Sequence, residues 1–203
     1  MASLSRDVLL LCSASPRRAA LLAAAGISFE QGPPPAIDET PPPSMPARDV
    51  ALALARAKAS RARELAPGRT VLCADTTVIL SASILDKPCD EGDARRMLRA
   101  LSGREHEVVT GVALARAHAL VAASDVARVT FRALSPEEID AYVASGEPFG
   151  KAGGYAIQGG AAAFSARVDG DLETVVGLPT RVVRRLLGEL DEGDDRAPAS
   201  RSR

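Results

Sequence analysis

The chain has 203 residues, 46 % of them apolar, with 25 Lys plus Arg against 26 Asp plus Glu. It is too apolar for a disordered polypeptide and long enough for one large domain with a buried core. A formal net charge of −1 offers no basic excess for nucleic acid or an anionic membrane, and no Trp beside four Phe and two Tyr predicts an aliphatic core.

Residues 7–12 read as a short buried strand. The run is too short to span a bilayer and lacks the pattern of a secretory signal, so a cytoplasmic protein is expected. Cys12, Cys73 and Cys89 are widely separated and read as thiols of a reducing compartment. Ser15 and Pro16 open a helix, with a hydroxyl at the N-cap and proline at the first helical position, and Gly26 closes it. Ile27 to Phe29 forms a second short strand. Residues 31–46 are rich in proline, which holds the chain extended around Ile37-Asp38-Glu39-Thr40. A helix follows over 47–65, then a strand over 69–80 interrupted by the polar triplet Asp75-Thr76-Thr77. A turn at Ser81-Ala82-Ser83 brings Lys87 back beside that strand.

Asp90 caps a helix that Gly103 ends, and residues 106–116 and 120–132 form a hairpin. Ser135-Pro136-Glu137-Glu138 spells a capping box. After a glycine-rich stretch from Gly150 to Gly160 comes a second hairpin, with its turn at Asp169-Gly170-Asp171. Pro179 begins a last helix that packs through Val182, Val183, Leu186, Leu187 and Leu190, and residues 193–203 form a charged flexible tail. Mixed strands and helices in this order indicate an α/β domain that is not a simple Rossmann unit.

Several segments carry chemistry. Ser13-Ala14-Ser15-Pro16-Arg17-Arg18 places a polar turn and a helix N-terminus after a strand, which suits a phosphate grip and equally an ordinary cap with solvent-facing arginines. No GxxxxGK[ST] occurs, which argues against a P-loop ATPase or kinase. Asp75, in an apolar strand, is either a hydrogen-bonded turn residue or a metal ligand or base. Glu39 is the natural second carboxylate, and such hard oxygen donors suit Mg²⁺ or Mn²⁺. Lys58, Lys87 and Lys151 are the lysines of an arginine-biased chain, and each supplies a compact charge that Arg does not imitate. His106 and His118 lack companion zinc ligands and read as structural. Tyr155-Ala156-Ile157-Gln158, set among glycines, reads as a shaped loop that lines a pocket.

Together these segments resemble the Maf family of nucleotide pyrophosphatases. The resemblance rests on Ser13 to Arg18, Asp38-Glu39, Ala57-Lys58-Ala59, Ala74-Asp75-Thr76 and Asp86-Lys87-Pro88. It continues through Leu101-Ser102-Gly103, His106, Val109-Thr110-Gly111, Lys151 to Gly159, and Val175 to Pro179, all in family order. It implies an elongated, twisted mixed sheet flanked by helices, with two lobes and an active cleft between them, within one domain over residues 1–192. It implies hydrolysis of a nucleoside triphosphate to monophosphate and pyrophosphate by a metal-dependent homodimer. Asp75, Glu39 and Lys87 then match catalytic positions, with Glu39 and Asp75 as metal ligands. Ser13, Ser15, Arg17, Arg18, Lys58 and Lys87 match phosphate contacts, and Arg18, Thr76 and Gln158 match base-reading positions of the branch acting on dTTP and UTP. The alternatives are a non-catalytic nucleotide-binding regulator of cell division and a pyrophosphatase for modified or 7-methylguanosine triphosphates.

Overall fold

A computed structural model describes residues 8–195, in which the apolar runs assemble into one seven-stranded mixed sheet flanked by helices. In chain order these are β1 (Leu9–Cys12), α1 (Pro16–Ala24), β2 (Phe29–Gly32), α2 (Ala47–Leu65), β3 (Val71–Leu80), β4 (Ser83–Leu85) and α3 (Glu91–Leu101). Then follow β5 (Glu105–Arg116), β6 (Ala119–Phe131), α4 (Pro136–Ala144), β7 (Ser165–Asp169), α5 (Leu172–Val176) and α6 (Thr180–Asp195). The sheet order is β2-β1-β3-β5-β6-β7, with β4 folded back on the end of β3. β2, β1 and β3 run parallel, and α1 and α2 supply the crossovers that parallel neighbours require. The remaining pairs are antiparallel.

Alternation along β3 sorts its side chains onto two faces. Leu72 and Ala74 join Leu11 and Leu22 against α6, through Val182 and Leu186. Val71 and Cys73 join Ala113 and Ala115 against the alanines of α2, Ala55, Ala59 and Ala62. This second contact is close. A Cβ added to Gly111 of β5 would stand 2.4 Å from the Ala51 carbonyl oxygen of α2, so only glycine fits between helix and sheet. Below the far end of the sheet, Phe131, Tyr142, Tyr155 and Phe164 form a third cluster with His106 at its edge. Both tyrosines and two of the four phenylalanines therefore collect in one place, which corrects the expectation of an aliphatic core throughout. His106 donates to or accepts from the Tyr155 hydroxyl at 2.8 Å, and burial pushes it down to about 4, so it is neutral at pH 7.

Other expectations change in detail. β3 is continuous, because β5 pairs with it across the polar triplet, setting Asp75 opposite Gly111 and Thr76 opposite Thr110. The second strand starts at Phe29, where the parallel register with Leu9 begins. Asp169-Gly170-Asp171 is not a hairpin turn. β7 pairs with β6, and the Asp171 carboxylate accepts the Glu173 N–H at 2.9 Å to cap α5 instead. The Ser135 capping box is formed with both of its bonds. α6 continues to Asp195, into the segment expected to be tail, and residues 196–203 lie outside the described residues.

Candidate active site

The site occupies a gap in the sheet edge. One edge of β3 pairs with β5 along its length. The other edge pairs with β1 only at Val71 and Leu72 and with β4 only from Val78 onward, so residues 73–77 face no strand there. A cavity of about 420 Å³ lies at this gap, within the size range of small-molecule sites. Because the edge is open, consecutive residues that point to opposite faces both reach it: Asp75 on the α2 side and Thr76 on the α6 side both line the cavity.

On the α2 side, the close seating of the helix brings Lys58 onto Asp75. Its Nζ lies 2.6 Å from Asp75 Oδ1 and 2.8 Å from Glu39 Oε1. The proline-rich loop is thus fastened to the sheet through Glu39, and Asp38 steadies it by accepting the Thr40 N–H at 2.9 Å. Burial pulls the Lys58 ammonium down, but Asp75 and Glu39 outweigh it and hold Lys58 above its usual value. The Lys58 hydrogen bond in turn holds the Glu39 carboxyl below the usual range. Two carboxylate oxygens therefore converge on one cationic point.

On the other side stands the first turn of α1. Ser15 sits at the N-cap as expected, yet its side chain makes no capping bond, so the hydroxyl and the first N–H groups of the helix are not consumed by each other. Ser13 is buried, and its Oγ accepts the Ser15 N–H at 3.2 Å and Arg18 Nη1 at 3.4 Å. Arg18 also donates from Nε to the Gly177 carbonyl at 2.9 Å and from Nη2 to Thr76 Oγ1 at 3.3 Å. It therefore braces α1 against β3 and the link between α5 and α6, and burial pulls its guanidinium down from the usual value. Arg17 and Lys87 line the cavity with no ion pair among the described residues.

The glycine-rich segment closes the remaining wall. Gly153 adopts φ +69 and lies so close to Val78 that an added Cβ would approach it to 2.9 Å. Tyr155 is buried in the aromatic cluster, which fixes the base of the segment, while Gln158 is exposed and makes no hydrogen bond among the described residues. All the residues given a site role from the sequence line one cavity: Ser13, Ser15, Arg17, Arg18, Glu39, Lys58, Asp75, Thr76, Lys87 and Gln158. The sequence marked Lys151, whose ammonium bonds the Glu147 carbonyl at the rim, without giving it a role in the site, and it left out Pro34 of the proline-rich loop. The scarcity of lysine was the signal for Lys151. Thr110, which bonds Thr76 from behind, and Thr174, whose carbonyl accepts from Thr110, were given no role in the site either.

Five cationic side chains, Arg17, Arg18, Lys58, Lys87 and Lys151, face two carboxylates in this cavity, although the whole chain is nearly neutral. Such a surplus in a recess, beside a helix N-terminus, favours an anion of several charges. Glu39 and Asp75 add two hard oxygen donors, and no group of three or more His, Cys, Asp or Glu able to hold a metal occurs among the described residues. A pair of carboxylates suits Mg²⁺ or Mn²⁺, which takes its other ligands from phosphates and water, and does not suit zinc.

Comparison with known proteins agrees with this chemistry. The Maf-like protein family matches residues 8–190. A dTTP/UTP pyrophosphatase from Sphingopyxis alaskensis is 50 % identical over 184 residues, 90 % of this chain and 96 % of that protein. One from Geobacter sulfurreducens is 48 % identical over 173 residues, 84 % of this chain and 90 % of that protein. Among solved structures, a HAM1 protein from Coxiella burnetii overlaps 62 % of this chain and 73 % of its own at 18 % identity and a TM-score of 0.43.

Proposed function

The chain belongs to the Maf-like protein family, and from that membership and the site we propose that it is a nucleoside triphosphate pyrophosphatase acting on dTTP and UTP. It joins water to the α phosphorus and releases the monophosphate and pyrophosphate. The observation that carries this reading is the convergence of Asp75 and Glu39 on Lys58 inside a cation-lined cavity.

In this reading the triphosphate lies along the N-terminal turn of α1. Ser13, Ser15 and the free N–H groups of that turn donate hydrogen bonds to its oxygens, and Arg17 supplies charge from the same turn. Asp75 keeps Oδ1 on Lys58 and takes the proton of the attacking water on Oδ2. As the bridging oxygen departs with pyrophosphate, Lys58 and Lys87 balance the growing negative charge. Glu39 and Asp75 would hold Mg²⁺ or Mn²⁺, which when bound neutralises phosphate oxygens. Arg18, tied into the floor with Thr76, and Gln158 on the glycine-rich wall face the nucleobase. The same reading places the enzyme in the cytoplasm as a homodimer. Among the described residues no helix is long and apolar enough to cross a membrane.

The test is pyrophosphate release with Mg²⁺ or Mn²⁺, comparing kcat/KM for dTTP, UTP, dCTP, CTP, the purine triphosphates and 7-methyl-GTP. dTTP and UTP should lead. Preference for 7-methyl-GTP, or equal use of dCTP and dTTP, overturns the substrate assignment, and the absence of turnover with every triphosphate overturns the enzyme.

A further inference from the structure

One hydroxyl in the cavity has its proton direction dictated by the fold. At the end of the five-residue helix α5, the N–H groups of Gly177 and Leu178 both go to the Glu173 carbonyl at 2.9 Å, which leaves the Thr174 carbonyl without a helical partner. Thr110 Oγ1 donates to it at 2.7 Å. A carbonyl only accepts, and a threonine hydroxyl has a single proton, so the Thr110 proton is spent there. The 2.9 Å contact between Thr76 Oγ1 and Thr110 Oγ1 must then run from Thr76 to Thr110. Thr76 has therefore spent its own proton, and Arg18 Nη2 donates to one of its lone pairs. Toward a ligand Thr76 can only accept.

The far end of the chain is fixed as firmly. Thr174 Oγ1 donates to the Asp125 carboxylate, which also receives Arg181. Thr110 and Thr174 are both 0 % exposed, so no bulk water enters to reverse the order. Gln158 offers the contrast. Its exposed amide has no partner among the described residues, so it can turn and present either a donor or an acceptor.

We propose that Thr110, acting through Thr76, sets the preference for uracil and thymine over cytosine. Uracil and thymine carry a proton on N3 and meet the obligatory acceptor of Thr76. Cytosine presents a lone pair at N3, so two acceptors face each other. Gln158 adapts to either base and adds affinity without this discrimination. Thr110 is a positioning residue that touches no substrate, and the inference rests on the pyrimidine triphosphate reading above.

The experiment is kcat/KM for dTTP and dCTP in the wild type, Thr110→Val and Thr110→Ser. In Thr110→Val the Thr76 hydroxyl rotates freely and can donate to cytosine, so the dTTP-to-dCTP ratio should fall by about tenfold, mostly through better use of dCTP. Thr110→Ser keeps the donor and should keep the ratio. Equal loss on both substrates in Thr110→Val means that Thr110 is only structural and overturns the inference. Should Thr110→Val not fold, a neutron crystal structure of the wild type decides. A deuteron between Thr76 and Thr110 that belongs to Thr76 supports the chain, and one that belongs to Thr110 overturns it. A wild type that does not separate dTTP from dCTP refutes the substrate reading itself, and this inference with it.

Discussion

The two sides of the sheet solve the packing problem in opposite ways. Under α2 the residues are small, Ala51, Ala55 and Ala59 on the helix against Gly111 and Ala113 on β5, and backbone nearly touches backbone. At the other end, α3 and α4 stand off the sheet, and Phe131, Tyr142, Tyr155 and Phe164 fill the space with ring centroids 4.9–6.0 Å apart. The tight side carries the groups assigned to chemistry, because only a helix this close lets a lysine stem end on Asp75. The aromatic side carries the glycine-rich wall, which the proposed function assigns to the base. The difference teaches that substitutions on the first side should reach turnover, and those on the second should reach stability and substrate recognition.

The sharpest break is Asp75→Asn. It should lower kcat by about 10²–10⁴ while triphosphate binding stays within roughly tenfold, read by pyrophosphate release and by titration with a non-hydrolysable analogue. Retained kcat would remove Asp75 from the chemistry. On the other side, Phe131→Ala empties the middle of the aromatic cluster and should cost about 3–5 kcal/mol in urea unfolding, with kcat of the folded protein within a few-fold of the wild type. A loss of kcat as large as that of Asp75→Asn would erase the distinction between the two sides.

His106 tests the aromatic side by pH. Unfolded, it takes its proton near 6.5; folded, near 4. Its contribution is therefore complete above pH 6.5 and is lost as pH falls through 4, by roughly 3 kcal/mol in all. His106→Gln retains a hydrogen-bonding amide for Tyr155 and does not titrate, so the stability difference between wild type and variant should change over that window and be flat above it. A parallel pair of pH profiles would contradict the buried, neutral imidazole. The smallest expected stability effect returns to α2. Gly111→Ala forces the helix off the sheet at a cost of about 1–3 kcal/mol, and kcat should fall with it because Lys58 leaves Asp75. An unchanged kcat would show that the close seating does not position the lysine.

What was legible in the sequence was local. Ser135 and Glu138 announce a capping box because cap chemistry is settled within four residues, and Asp90 announces its helix for the same reason. The site residues were legible as types, since a lone Asp in an apolar run and a lysine among arginines each need a reason. Their arrangement was not. Asp75-Thr76-Thr77 looked like a break in a strand because its partner, Thr110 and Gly111 on β5, lies more than thirty residues further on. Asp169-Gly170-Asp171 carried a hairpin signal, but the helix cap on Asp171 decided the geometry. The aromatic cluster was hidden for a different reason: composition averages over the chain, and the fold gathers its few rings into one place.

Arg18 holds the Gly177 carbonyl across 159 positions of sequence, and Leu11 and Leu22 share their cluster with Val182 and Leu186. During translation the N-terminal turn of α1 is therefore made well before the segment that seats it. At about 5–20 residues per second the ribosome leaves it without its brace for roughly 10–30 seconds. A nascent or prematurely terminated chain can carry every acid, lysine and arginine of the candidate site and still lack a working one, so nucleotide hydrolysis should begin only once α6 has been made.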